Sequence, residues 1–436
     1  MNGLQRPPVV FTTPVLGHPA VGGPALRVEN SILALGAIAE LHILSRADWW
    51  DLGGRGAAGF FGRVASSFRQ ASGRGAVGSA LRWLSDGRFR CLQPRPGRRF
   101  ANAAGYVIRG AFSKVQRAPS AARDAAEVVA LARRTGAKVV WFGYGNISFD
   151  LMREVRGAAP DLRLVCDTDS VWSRFVLREV EVERDPERRA RIEAEGKAKE
   201  IEEADWVRMC DVTTAVSEVD AAYYEGLNTS GRRVMLFRNV VNMDSYASAP
   251  PPAPDLRTPS IFLAGTFWEG SPMQHAATWF VREVLPLVTS ALPEVQVYIA
   301  GQGSDVVLRG MTQPGVHVLG RVPTVLPYLC HSGVSVVPLF FESGTRFKIL
   351  EAGACGVAVV STTLGAEGIP AVDGEHLLLA DAPGDFASAV TRLLRDPEAA
   401  RAMGSRLRDL VRRDFSLDAL TREGAAILRA LGATPG

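Results

Sequence analysis

Apolar positions along this chain fall into short continuous runs separated by amphipathic stretches, and the two alternate almost from end to end. The run Val9-Val10-Phe11-Thr12-Thr13 predicts a strand that empties into a Pro/Gly-rich loop, Pro14 to Pro24. A helix over 25–39 and a strand over 41–44 follow. The alternation resumes with a helix at 121–134, for which Ser120 is a suitable N-cap, a strand at 138–142 and a helix at 149–156. A strand at 162–166 runs into the acidic turn Asp167-Thr168-Asp169-Ser170. The Glu/Arg-rich segment 174–204 has helical spacing broken by Pro186 and Gly196, which predicts a kinked surface helix. Strands at 211–215 and 234–237, with Ser217 capping the helix between them, complete the first half.

Ala249-Pro250-Pro251-Pro252-Ala253-Pro254 is the strongest linker signal, because proline sustains neither helix nor ladder. A second series then begins. Its strands are expected at 260–264, 295–300, 317–319, 334–337, 358–361 and 376–379. Its helices are expected at 273–290, 324–330, 346–355 and 386–395, and two or three more close the chain over 397–431. Strands without polar alternation, each followed by a helix, imply parallel sheets covered on both faces. The fold class is therefore α/β, with two doubly wound parallel-sheet domains: 1–248, 249–415, and a terminal helical piece, 416–436, packing back towards the first domain.

Composition narrows the function classes. The 436 residues are 47% hydrophobic and 22% charged, as in a globular protein. No uncharged apolar run reaches the roughly 18–20 residues that span a bilayer. The dispersed cysteines (91, 166, 210, 330, 355) include no CxxC pair, and a cytoplasmic location is expected. A net charge of +4 gives no ground for nucleic-acid binding. Residues 51–120, however, carry twelve Arg and Lys114 against Asp51 and Asp86, a balance of +11, interleaved with Phe60, Phe61, Phe68, Trp83, Phe89 and Phe100. Such a tract reads either as a solvated insertion or as a peripheral contact with an anionic membrane face.

In open parallel sheets, ligands bind beyond the carboxyl ends of the strands. Four loops there carry candidate chemistry. Gly22 and Gly23 precede the first helix, where free N–H groups suit an anion. Gly265-Thr266-Phe267-Trp268 follows the first strand of the second half, and Gly301-Gln302-Gly303 the second; each also reads as a plain tight turn. The fourth, from Pro338 to Gly356, puts Arg346 and Lys348 at the start of a helix. Cations usually avoid that position because the helix dipole is positive there. Two cations beside free N–H groups fit a bound diphosphate, with Arg as a planar fork and Lys as a point charge. Glu351, further along, suits a sugar diol.

That stretch resembles the signature of retaining, nucleotide-sugar-dependent GT-B glycosyltransferases of the bacterial group 1, family 4 type. The likeness runs through the second half: the Gly265 loop, Ile299-Ala300-Gly301-Gln302-Gly303, Leu319-Gly320-Arg321-Val322, Lys348-Ile349-Leu350-Glu351-Ala352 and Gly365-Ala366-Glu367-Gly368. In the first half it is looser: Gly22-Gly23, Thr214-Ala215-Val216-Ser217-Glu218 and Asn239. The resemblance implies a nucleotide-sugar donor in the second domain and a glycan or lipid-linked acceptor in the first. It implies a hexosyl transfer in cell-surface polysaccharide biosynthesis, needing no cofactor or metal. Ribose would meet Glu351, and Gly265, Thr266, Gly301, Gly303, Arg321, Val322, Ser343, Gly344 and Thr345 would line the donor site. Arg346 and Lys348 would neutralise the leaving diphosphate. The chain departs from the pattern where many relatives carry a second glutamate eight positions before the first: here Ser343 stands there, with Glu342 one residue off register. Asp167 and Asp169 occupy the acceptor-facing turn, where relatives often have histidine; His18 is an alternative. A non-catalytic GT-B binding subunit, or an epimerase or hydrolase on the same fold, are the competing readings.

Overall fold

The computed structural model describes residues 6–20, 22–47, 55–72, 121–311 and 313–433. Two all-parallel sheets form its frame. The first has the order β3-β2-β1-β4-β5-β6-β7, built from β1 (Pro8–Thr13), β2 (Glu40–Ser45), β3 (Ser67–Gln70), β4 (Val139–Phe142), β5 (Arg163–Cys166), β6 (Val212–Ala215) and β7 (Arg233–Leu236). The second has the order β10-β9-β8-β11-β12-β13, from β8 (Ser260–Ala264), β9 (Gln296–Ala300), β10 (Val316–Gly320), β11 (Val334–Val337), β12 (Val359–Ser361) and β13 (Leu378–Leu379). Most strands are buried because helices cover both faces, as the sequence pattern requires, while the edge strands β3 and β7 are only partly buried.

Two differences from expectation have plain causes. The charged segment forms two helices, Trp172–Glu179 and Pro186–Met209, rather than one kinked rod. Pro186 opens the second, where a missing N–H costs nothing, and Asp185 caps it through the Arg188 N–H at 2.8 Å. Gly196 leaves that helix unbroken: a Cβ there would lie 2.4 Å from the Leu177 side chain, so the glycine lets the two helices touch. The helix expected at 273–290 relaxes into a π turn, Phe280–Val284, just ahead of Pro286, which has no N–H to give.

The basic tract is not one insertion. Its opening forms a helix, Arg55–Val64, and the edge strand β3. Phe61 is fully buried and Phe60 stacks on His18 at 3.7 Å, so these two aromatics belong to the domain and are not presented to a membrane. Residues 73–120, with Trp83, Phe89, Phe100 and ten of the thirteen basic residues, lie outside the described residues, as do 48–54. Among the described residues, no helix is long and apolar enough to cross a membrane.

The chain crosses between domains twice, side by side. Val241 pairs with Ser416, and the Val241 N–H donates to Phe415 O at 3.0 Å. Beyond that crossing, the helix Leu417–Ala430 packs on the first domain, with Gly424 against Leu35 and Phe237 and Glu423 paired to Arg238. The Pro-rich linker lies on the second domain, where the Ala253 N–H donates to Pro327 O at 3.2 Å.

Candidate active site

The carboxyl ends of both sheets face one another across a cleft, and two helix N-termini meet in it. Gly23, first residue of the helix Gly23–Ile38, abuts the ring of Phe347, first residue of the helix Phe347–Cys355. Neither helix has a side-chain cap, and neither carries an acidic residue in its first turn. The helices Glu218–Leu227, Pro397–Asp414 and Leu417–Ala430 supply both, because unpaired N–H groups and the dipole leave that end electropositive. The opening turn of the second helix adds Lys348, half-buried and without a hydrogen-bond partner among the described residues. None of the backbone N–H groups from Ser343 to Lys348 donates to a described residue either. The arrangement is a ready anion site.

The side chains of the same loop turn elsewhere. Thr345 Oγ1 donates to Val216 O at 3.2 Å, and Ser343 Oγ accepts from the Val171 N–H at 3.3 Å. Gly344, at φ +83°, presses on the backbone of Asp169 and Ser170, where a Cβ would come within 2.8 Å. These three residues bind the domains together, and only their backbone is left for a donor.

Arg346 is corrected most. It is not an exposed fork beside Lys348 but the N-terminal flank of the helix, with its guanidinium buried. Nη2 donates to Leu364 O at 3.2 Å, while Nε, 3.4 Å from Glu342 Oε2, and Nη1 find no hydrogen-bond acceptor among the described residues. Around it lie Glu342, Glu367 and Asp220, together with Arg178. Arg178 donates to Glu342 O at 2.6 Å and to Glu367 at 2.7 Å, and Arg174 reaches Glu367 at 3.4 Å and Asp220 at 3.7 Å. Arg174 and Arg178 stand one turn apart after the Asp169 turn; the sequence showed them only as charges on a surface helix.

Burial raises Asp220 to about 6, against the pull of Arg174 and Arg346 and with Glu367 opposing ionisation. The folded state thus holds this proton more tightly than the unfolded chain. The contribution of Asp220 to stability should fall as pH rises from about 4 to 6, by on the order of 2–3 kcal/mol, and stay level above that. Asp220→Asn is expected to remove that fall, read as the difference between the two proteins in denaturant melts across the interval. Parallel curves would refute the assignment.

The acidic turn splits into two roles. Asp167 is fully buried and paired with Arg27, and it also accepts from Trp141 Nε1 at 3.0 Å and Thr214 Oγ1 at 3.2 Å. Arg27 continues to Asn239 Oδ1 and Phe237 O, each at 2.9 Å, beneath the crossing point. Asp167 is therefore a buried structural counter-ion and not, as its place in the acidic turn predicts, a group facing the acceptor. Asp169 does face the cleft. Burial raises its carboxyl, Trp172 Nε1 donates to it at 3.3 Å, and Tyr144 lies against it in the left-handed region at φ 57°. His18 bonds Glu29 at 2.8 Å and stacks on Phe60.

Glu351 is half-buried and its carboxyl is raised by burial, with the Tyr246 hydroxyl donating to it at 2.9 Å. Tyr246 comes from the segment after the first crossing, a partner the spacing could not reveal. Among the glycines, Gly301 and Gly303 are explained by their neighbouring loop: a Cβ on either would strike Gly265 O at 1.7 Å or Phe267 O at 2.1 Å. Gly301→Ala, at φ +136°, is expected to cost at least about 3 kcal/mol, seen as a lowered melting temperature or loss of soluble protein. Gly265 packs on Met273, Thr266 and Arg321 are exposed, and Val322 packs on the second core.

Residues 258–396 match the family model described as glycosyl transferases group 1. That match falls within the second domain. Solved structures resemble the whole chain at low identity. Sucrose-phosphate synthase from Thermosynechococcus elongatus is 17% identical with a TM-score of 0.66, over 98% of this chain and 100% of that one. Anabaena HepE, solved in complex with UDP and glucose, is 11% identical with a TM-score of 0.61, over 97% and 99%. Trehalose 6-phosphate synthase from Burkholderia multivorans is 13% identical with a TM-score of 0.60, over 98% and 99%. Among curated proteins none matches the chain in sequence. The two parallel-sheet domains together have the GT-B fold.

Proposed function

We propose that the protein transfers a hexosyl group from a nucleotide-diphosphate sugar to a hydroxyl of a glycan or lipid-linked acceptor, with retention at the anomeric carbon. One observation carries the reading: two uncapped helix N-termini converge beside Lys348 with a run of free N–H groups. As the glycosidic bond breaks, negative charge grows on the diphosphate, and preorganised donors at that place stabilise the transition state. Glu351 would take the ribose diol, exchanging the Tyr246 hydroxyl for ribose hydroxyls. Asp169, on the facing domain, would orient the acceptor hydroxyl, while the contacts of Ser343 and Thr345 hold the halves closed and keep water out. The matched family, and the UDP and glucose bound by the HepE neighbour, support this assignment. Retention, and a role in cell-surface polysaccharide assembly on the cytoplasmic side of a membrane, follow the resemblance in sequence.

The test is a thermal-shift series with UDP, GDP, ADP and dTDP and their sugar conjugates, repeated on Lys348→Ala. One base is expected to stabilise the wild type and lose its effect in the variant. Proton NMR of the product's anomeric signal decides retention. A chain that no nucleotide stabilises would instead be a binding or scaffold subunit.

A further inference from the structure

A second basic cluster lies on the opposite edge of the first sheet, away from the cleft. Arg163 opens β5, Asp211 directly precedes β6 and Arg233 opens β7, so all three sit at the N-terminal ends of the strands. The buried Asp211 carboxylate receives Arg156 at 2.6 Å on Oδ2, and Arg232 at 2.7 Å and Arg163 at 3.2 Å on Oδ1. One negative charge thus meets three guanidiniums, leaving an excess of two.

Helix ends account for part of that excess. Arg156 donates to Met209 O at 3.1 Å, at the C-terminus of a helix, where the dipole favours cations, and Arg233, a further cation beside the cluster, donates likewise to Ala430 O. Arg163 and Arg232 have no such carbonyl. Among the described residues the only hydrogen-bond partner of their guanidiniums is Asp211, and their side chains are 56% and 40% exposed. Both line a surface cavity of about 230 Å³ with Gly231, Arg233 and Leu431. The N–H groups of Gly231 and Arg232 at its rim likewise donate to no described residue. Two guanidinium forks held by one shared carboxylate, with their remaining N–H groups turned to a concave surface, match a tetrahedral oxyanion.

We propose that this cavity is a phosphate-binding site, in which phosphoryl oxygens bridge Arg163 and Arg232. Asp211 sets the spacing of the two forks. The phosphoryl group comes either from a free phosphate or from the headgroup of an anionic phospholipid, since the cavity opens on the surface. The site is separate from the cleft and does not depend on the glycosyl-transfer reading.

The experiment uses the full chain carrying Lys348→Ala, so that phosphate entering the cleft does not contribute. Inorganic phosphate is titrated calorimetrically at fixed ionic strength. In parallel, vesicles of phosphatidylcholine with and without phosphatidylglycerol are used for co-sedimentation. The comparison protein adds Arg163→Gln and Arg232→Gln. Saturable phosphate binding, weakened at least tenfold by the two substitutions, supports the site with a free phosphate as ligand. Phosphatidylglycerol-dependent sedimentation, lost with the same substitutions and without binding of free phosphate, supports a headgroup. A phosphate-soaked crystal of the unsubstituted arginine pair makes the result independent of how the variant folds. An empty cavity there, together with vesicle binding that is absent or unchanged by the substitutions, overturns the proposal.

Discussion

Lys348→Ala should lower kcat/KM for the nucleotide sugar by about 10²–10³-fold, the usual effect of removing one preorganised donor from a developing oxyanion. The melting temperature should hardly move, because Lys348 is half-buried and bonds to nothing among the described residues. Lys348→Arg restores the charge with a different geometry and should recover only part of the rate. The loss should fall on kcat as well as on KM, since charge on the diphosphate grows between ground state and transition state. The measurement is steady-state release of free nucleotide diphosphate alongside a thermal melt. Activity within threefold of wild type would mean that the diphosphate binds elsewhere, and the reading of the cleft would fall with it. Arg346 is not a comparable test. Its guanidinium is buried among Glu342, Glu367 and Asp220, so removing it disturbs the domain contact first.

Asp167→Ala should be the most destabilising single change in the acidic turn. It leaves the buried Arg27 guanidinium without its counter-charge, and breaking such a pair costs about 3–5 kcal/mol. For a domain of this size that is a fall of roughly 6–20 °C in melting temperature. The Arg27 bonds to Asn239 and Phe237 carry the damage to the point where the chain leaves the first domain. Asp169→Asn, two residues away, should behave in the opposite manner. It keeps an acceptor for Trp172, relieves a carboxyl whose ionisation is opposed by burial, and should spare stability while lowering turnover. Chemical denaturation and initial rates on the two variants separate the roles. Equal stability losses would show that both aspartates are structural.

The alternation of apolar runs and amphipathic stretches was enough to place two parallel-sheet domains on either side of the Pro-rich linker. Composition and period determine strand and helix locally, and a strand buried on both faces has no polar positions to spare. That Lys348 and Glu351 share one helix was legible for a similar reason, since helix position is local. The loop before that helix was only half legible. Its glycine and free N–H groups follow from local conformation, but where Ser343, Thr345 and Arg346 point depends on Val171, Val216 and Leu364, which are 18 to 172 residues away in the chain. The same holds for the two aspartates. Asp167 and Asp169 belong to one turn and look alike in sequence. Only the packing of Arg27 beneath one, and of Trp172 and Gly344 around the other, makes the first a buried counter-ion and the second a cleft residue. Sequence by itself determined most of the elements and their order, because those follow from short-range periodicity and backbone freedom. Tertiary structure alone decided which charged side chains are neutralised inside and which stay free for a ligand, because a charge is settled by the partners that long-range folding brings within a few ångströms of it.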